Sequence, residues 1–391
     1  MLAVAIVAGH AVKHLLNAGF FVLLPELKVG LGLTNAGIGT IAATRNVASG
    51  LTNLPAGFTA DRFQDQGATI LGLIIILVGL FTAALGFFDS FLAALVFATL
   101  CGMAVTSWHP TAISALLRRF PERRGFAIAL HGTGGSIGEA LGPLLVGGLL
   151  LVLGWRLVFE SVGVSSMLGG VAVWLMLQRA WGNRTDANTT IAVYLKSVQE
   201  LLGNRHILIL LVMVVGYSAT QSAIVTFLPI YIQLDVGYSA SVMSLYIAAS
   251  QIAGILSQTA MGFLSDRYGR KQVLVPGLLL LGIAAMAIAV ASPGVLLFVV
   301  VVLMGAVQFP LMSIFLAAVS DIAGEKVQGT VVSLVFGVTM FIAGVSPYIS
   351  GLLADTYGVK SVFLYSAGPS LLSAFLLVLQ RWPKASRATS G

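Results

Sequence analysis

Runs of roughly 20 apolar residues recur along this chain, and a run of that length leaves few structural options. A bilayer core about 30 Å thick is crossed by about 20 apolar residues of helix. Inside lipid the backbone must satisfy its own hydrogen bonds, so only helices and closed barrels span it. Twelve segments qualify, at 2–24, 35–60, 68–88, 91–117, 125–152, 157–179, 206–232, 239–264, 272–291, 294–319, 329–353 and 360–380. Their weight in the whole is decisive: the 391-residue chain is 58% hydrophobic and 9% charged, with a mean hydropathy of +0.99. Soluble domains carry about 25% charged residues, so this reads as an all-α membrane protein whose surface faces lipid.

A repeat then sets the architecture. Gly262 to Lys271, Gly-Phe-Leu-Ser-Asp-Arg-Tyr-Gly-Arg-Lys, has a worn copy in Gly57 to Gln66, Gly-Phe-Thr-Ala-Asp-Arg-Phe-Gln-Asp-Gln. An offset of 205 separates Asp61-Arg62 from Asp266-Arg267, and 204 separates Gly125 from Gly329, Pro143 from Pro347 and Gly147 from Gly351. The expected organisation is two parallel six-helix bundles, 1–180 and 205–391, joined by a cytoplasmic linker at 181–204. Within the linker Ile191, Tyr194, Leu195, Val198, Leu201 and Leu202 recur at helical spacing, which predicts a short amphipathic helix on the membrane surface.

The net charge of +7 raises nucleic acid as a partner, but no basic cluster lies on a soluble face. Loop topology explains the charge instead. The even-numbered connections and the C-terminal tail hold 16 of the 21 Lys and Arg, whereas the odd-numbered ones hold Lys28, Arg156 and Lys360. Since cytoplasmic loops carry the excess, both termini are expected in the cytoplasm. Apolar sequence begins at Leu2 without a basic leader region or cleavage pattern, so the start is expected to be a retained spanning helix. Cys101, alone in an apolar run, builds no disulfide and no metal site. No nucleotide-binding loop of the GxxxxGK[ST] kind is present, and no nucleophile set assembles, so neither direct ATP drive nor an enzyme is expected. A membrane sensor or scaffold is the other class considered, but the polar tails are short for a soluble output domain.

Twelve spans, two parallel halves, a basic central loop and G-x-x-x-D-R-x-G-R-K after the eighth span together resemble the major facilitator superfamily. The resemblance implies that Asp266 meets a neighbouring helix N-terminus and that Arg267, Arg270 and Lys271 help close the cytoplasmic side, with Asp61 and Arg62 as counterparts. The first copy has Gln64, Asp65 and Gln66 where glycine and two basic residues are usual. His14-Leu-Leu-Asn17, His109-Pro110 and the stretch from Arg124 to Leu145 further resemble the fosmidomycin resistance branch. That likeness implies a monomeric, proton-coupled exporter of the bacterial inner membrane, with a small-molecule substrate, protons and lipid as partners and no cofactor.

Charges that cannot reach water carry the functional reading. Lys13 and His14 lie mid-way along the first span, Arg45 along the second and Glu139 along the fifth. Each is roughly 10 to 15 residues from its helix ends, so at 1.5 Å per residue all four share nearly one plane. A charge at the bilayer centre costs about 2.5 to 3.5 kcal/mol on insertion scales, so they should face a cavity or each other. One reading is an internal ion pair, with Glu139 neutralising Lys13 or Arg45; the other is a transport site. The two are compatible, because a carboxylate near cations releases its partner when protonated. Glu139 and His14 are therefore the expected proton-coupling groups.

His10, His14 and Asn17 share a helix face at i, i+4 and i+7. Two nitrogens do not complete a metal site, and none is expected. His109, beside the helix-bending Pro110, either lines the pore or packs, and His131 is expected to be structural. In the second half, Gln221, Gln251, Gln258 and Gln308 lie at mid depth with no buried charge. The expected substrate-binding set is Lys13, His14, Asn17, Arg45, His109, Gln221, Gln251 and Gln308. Tyr217, Tyr246, Phe309 and Phe336 are candidates for an apolar wall, or for core. The glycines of the fifth span let helices pack closely. Cations offset by one carboxylate suit an anionic or zwitterionic compound, exported against protons or, alternatively, taken up with them.

Overall fold

The structure, a computed structural model, describes residues 1–182, 191–323 and 328–380. All regular structure among them is helical: α1 (Leu2–Val22), α2 (Leu24–Gly30), α3 (Asn35–Arg62), α4 (Gly67–Phe87), α5 (Phe91–Arg119), α6 (Arg124–Leu149), α7 (Trp155–Ala180), α8 (Ile191–Gly203), α9 (Arg205–Ile230), α10 (Ala240–Tyr268), α11 (Arg270–Val290), α12 (Val295–Ala323), α13 (Gln328–Ala343), α14 (Ser346–Tyr357) and α15 (Lys360–Leu379). Among the described residues, ten helices are long and apolar enough to cross a membrane. Neither α3 nor α6 is one of the ten. Both carry polar residues along their length, such as Arg45, Asn46 and Asn53 in α3 and His131, Ser136 and Glu139 in α6.

The ends obey local rules. The side chains of Thr34, Ser90 and Ser239 accept from backbone N–H groups in the first turns of α3, α5 and α10, filling donors that a helix start leaves open. Two breaks interrupt the helices, one at the end of the span expected at 2–24 and one inside that expected at 329–353. Leu23 separates α1 from α2, which carries Pro25 in its first turn, and Gly344 and Val345 separate α13 from α14, which carries Pro347 likewise. Proline is tolerated at a helix start, where its missing donor costs nothing. Within α12, Pro310 deprives the Ala306 carbonyl of its usual donor, and Ser257 Oγ of α10 supplies one at 2.5 Å.

Helix pairing follows small residues. α1 lies along α6, α3 along α5 and α4 along α7; α9 pairs with α13 and α15, α10 with α12 and α11 with α15. In α6, Gly134, Gly138 and Gly142 meet the α1 backbone at Val7, Ala11 and Leu15, so the glycines set how closely these helices approach. Contacts of α3 with α13 and α14, and of α6 with α10, join the two sets. In α8 the side chains of Val198 and Leu201 are buried while Leu195 and Leu202 are exposed, and α8 packs on α9 and α13.

Candidate functional site

α1 presents the residues around which the site is built. His10, His14 and Asn17 stack along one face, with Lys13 beside them. Asn17 Oδ1 accepts a hydrogen bond from Arg45 Nη2 of α3 at 2.6 Å. The guanidinium of Arg45 lies over the Phe20 ring, 4.7 Å from its centroid, and 5.3 Å from that of Phe21. Gly102 of α5 makes the room, since a Cβ there would meet Arg45 Cγ at 2.6 Å. Arg45 is 4% exposed and its Nε–H is buried without a partner. A charged donor in that condition is costly.

The internal pairing differs from expectation. Glu139 pairs with His14, Oε1 to Nδ1 2.9 Å, rather than with Lys13 or Arg45, because the glycines of α6 bring that helix against the His14 face of α1. Lys13 is 0% exposed, and its Nζ lies 2.8 Å from His109 Nε2 of α5. It is behind the site wall, not on it. His131, expected to be structural, belongs to the same cluster: its Nε2 is 3.2 Å from His109 Nδ1, and its carbonyl is 2.7 Å from His10 Nδ1.

Between the two helix sets lies a cavity of about 410 Å³. From the first half it takes His14, Asn17, Arg45, His109 and Glu139. The second half contributes Gln221, Gln251, Gln258 and Gln308, with Phe309 and Phe336 as apolar wall. Tyr217 and Tyr246 do not line it; their hydroxyls donate to the carbonyls of Gln308 (2.8 Å) and Gly294 (3.1 Å). Oε1 of Gln251 and of Gln308 are buried and unpartnered. Sequence reasoning missed Asn46, which donates to Ser222 Oγ at 2.8 Å across the two halves, and Asn53 and Ser136, which also line the cavity. Short polar side chains in a helix give no signal of their own, because they also satisfy themselves on the preceding turn.

Nitrogens of His10, His109 and His131 lie within 4.8 Å of one another, a possible metal set that the sequence reading did not assemble. The geometry opposes it. The His10 and His131 rings stack at 3.7 Å with 15° between planes, so their in-plane lone pairs run side by side rather than converging on a point about 2 Å from each.

In the repeated charged segment, Arg270 pairs with Asp266, donates from Nη1 to Ser265 Oγ at 2.7 Å, and reaches Asp321 Oδ2 at 3.0 Å. Arg270 opens α11, so its pairs with Asp266 of α10 and Asp321 of α12 tie these helices together at this end, while among the described residues no side chain caps the N-terminus of α11. Gly269 makes the turn with φ +105°, a conformation glycine adopts without strain. Lys271 Nζ donates to the carbonyls of Val378 and Gln380, while Arg267 is exposed with its guanidinium 5.4 Å from the Tyr268 ring centroid. Arg62 is exposed, and the side chain of Asp61 lies outside the described residues.

A second set of contacts ties the halves at the opposite end. Asp355 of α14 accepts from the backbone N–H groups of Asn35 and Ala36 at 2.9 and 2.8 Å. Glu26 accepts from Gln233 Nε2 at 2.6 Å, and Ser241 Oγ donates to the Gly147 carbonyl at 3.2 Å.

The family model of the Major Facilitator Superfamily matches residues 6–257 and 210–391. The fosmidomycin resistance protein of Escherichia coli (strain K12) is 26% identical over 383 residues, covering 96% of this chain and 91% of that protein. The hexuronate transporter of Bacillus subtilis (strain 168) is 21% identical over 387 residues, covering 94% and 91%. Among solved structures, a D-xylose–proton symporter superposes with a TM-score of 0.80 at 13% identity, covering 98% of each chain. The likeness in shape concerns the fold, while the family match runs the length of the sequence: the chain belongs to the Major Facilitator Superfamily of membrane transporters and resembles its fosmidomycin resistance branch.

Proposed function

We propose that the protein is a secondary active transporter, working by alternating access, that exports a small anionic or zwitterionic organic compound in exchange for protons. The observation that carries this reading is the single cavity in which Arg45, the Glu139–His14 pair and the amides of Gln251 and Gln308 converge between two helix sets. Arg45 takes the anionic end of the substrate. A substrate ammonium group takes the place of the coupling proton at Glu139, so proton and zwitterion compete for one carboxylate. The fosmidomycin resistance protein, by its name, concerns resistance to a drug, which supports export.

The architecture behind this is twelve spanning helices in two parallel repeats, 1–180 and 205–391, counting α3 and α6 as spans and α13 with α14 as one. The recurrence of pairings supports it, with α1·α6, α3·α5 and α4·α7 answered by α9·α13, α10·α12 and α11·α15. On the sidedness expected from the basic loops, both termini are cytoplasmic, the Asp355, Glu26 and Ser241 contacts close the external end, and Asp266, Arg267, Arg270 and Lys271 with Asp61 and Arg62 form the cytoplasmic gate. The protein acts as a monomer in the bacterial inner membrane.

A second reading, uptake of an organic anion together with protons, is supported by Arg45, which among the described residues is left as the one fixed charge of the cavity lining when Glu139 is protonated. For a plain anion, protonating Glu139 removes the competing carboxylate, so proton and substrate bind cooperatively. A thermal-shift screen of the purified protein against phosphonates, organic acids and amino-phosphonates at two pH values separates the two, since a ligand that prefers the folded state raises apparent stability. Tighter binding at the higher pH supports exchange; tighter binding at the lower pH supports co-transport. Arg45→Gln should weaken the ligand found by about 1.5 to 3 kcal/mol, the range for a charged hydrogen bond, with expression intact. Unchanged affinity removes Arg45 from the site.

A further inference from the structure

At the cavity wall and behind it, the cluster of His109, Lys13 and His131 has no part in the mechanism above. Lys13 is fully buried, and its hydrogen-bond partner is an imidazole, not a carboxylate. The titratable and charged groups facing it are His10 and His14 of its own helix, Arg45 of α3, His109 of α5, and His131 and Glu139 of α6. α4 contributes no charged group. In α7, Arg156, Glu160 and Arg179 lie near the ends, as do Arg205 and His206 in α9 and Asp266 and Arg267 in α10. Glu139, the acid of the set, is committed to His14.

The hydrogen-bond distances leave two self-consistent proton arrangements. In the first, Lys13 is an ammonium donating to His109 Nε2, so the His109 proton is on Nδ1 and donates to His131 Nε2, leaving the His131 proton on Nδ1. In the second, Lys13 is an amine accepting from His109 Nε2–H, His109 Nδ1 accepts from His131 Nε2–H, and His131 Nδ1 is bare. His131 Nδ1 is buried without a partner, so it is the free terminus of the chain, and the last transfer needs water to reach that nitrogen. The arrangements differ by one proton. Lys13 passes it to His109 Nε2, His109 releases its Nδ1 proton to His131 Nε2, and His131 releases its Nδ1 proton to a water molecule.

We propose that Lys13, His109 and His131 form a proton relay, a second proton-carrying site distinct from the Glu139–His14 pair. His109 lies on the cavity wall, while His131 stands eight residues before Glu139 in α6, about 12 Å along the helix axis. The relay therefore leads away from the substrate site toward the start of α6. Protons reach Lys13 by a route that the bound substrate does not block, and a charge appearing on Lys13 alters the field at the cavity beside His109.

The test needs no substrate, so its failure is separable from failure of the transport reading. The chain has five histidines, few enough to assign by ¹⁵N-histidine NMR, which distinguishes protonated from bare ring nitrogens. On titration of the wild-type protein between about pH 5 and pH 9, the window in which buried Lys and His groups exchange roles, His109 and His131 should change tautomer together at one shared midpoint. Lys13→Met should abolish the joint change. Lys13→Arg, which stays charged throughout, should hold both rings in the Nδ1–H form, and this variant covers the case in which the methionine variant fails to fold. Glu139→Gln should leave the joint change in place. Separate midpoints in the wild type, or a joint change that persists in both Lys13 variants, would overturn the relay. So would Zn²⁺ or Ni²⁺ added to chelator-treated protein that shifts His10, His109 and His131 together, because the cluster would then be a metal site.

Discussion

At the scale of single residues, what matters is which polar atoms the fold leaves unsatisfied. Arg45 spends one N–H on Asn17 and keeps Nε–H unpaired, while Glu139 holds His14. A neutral isostere at Glu139 removes the charge and keeps the shape. Glu139→Gln is therefore expected to leave downhill substrate exchange running and to stop accumulation driven by a proton gradient, a loss of tenfold or more in the concentration ratio reached at steady state. Reconstituted vesicles with an imposed pH gradient provide the measurement, and vesicles of the variant that still concentrate substrate would move the coupling proton elsewhere. Lys13, His14, Arg45 and Glu139 were legible in the sequence because a titratable group in the middle of an apolar span is costly. Which one pairs with which was not. That depends on the rotation of α6 against α1, and the glycines at 134, 138 and 142 announce close approach without fixing the facing residues. His131 went unrecognised for the same reason: its distance from the expected midplane mattered less than its facing His10 and His109.

At the scale of elements, the helices and most of their ends follow from apolar runs and capping residues, but two breaks do not. Pro25 and Pro347 were visible, yet proline inside an apolar run kinks, starts or interrupts a helix depending on whether a neighbour satisfies the freed carbonyl. Asp355 is a plainer case of what sequence hides. Its partners, the N–H groups of Asn35 and Ala36, lie 320 and 319 residues away, and no local pattern marks it. A carboxylate on two open N–H groups at the start of α3 acts as a cap supplied by the other half, worth about 0.5 to 2 kcal/mol by analogy with N-caps. Asp355→Ala is expected to raise the open-to-closed ratio at this end by roughly twofold to thirtyfold, given that 1.4 kcal/mol is tenfold in an equilibrium. Alkylation of a cysteine placed at Gln251, in a background with buried Cys101 replaced by Ser, reads that ratio from the external side. An unchanged rate would mean that Asp355 stabilises both states alike.

At the scale of the molecule, alternating access demands that contacts closing one end of the cavity break when the other closes. Three such contacts lie together here: Asp355 on α3, Glu26 with Gln233, and Ser241 on Gly147. Each joins residues before the central linker to residues after it, so separating the halves at this end must break all three at once. The packed interiors of the halves resist deformation, which makes a rigid rocking motion cheaper than bending within either half. The crossing of α6 and α10 is tight: a Cβ on Gly147 would meet Ser244 Cβ and Oγ closer than packed side chains stand, so this end closes because the residue is glycine. Gly147→Val should therefore wedge α6 from α10 and favour the state open at this end, raising the alkylation rate of the cysteine at Gln251 and lowering transport by at least tenfold. An unchanged alkylation rate with transport at full speed would mean that α6 and α10 do not separate in the cycle, and the moving contact would then have to be sought along α3.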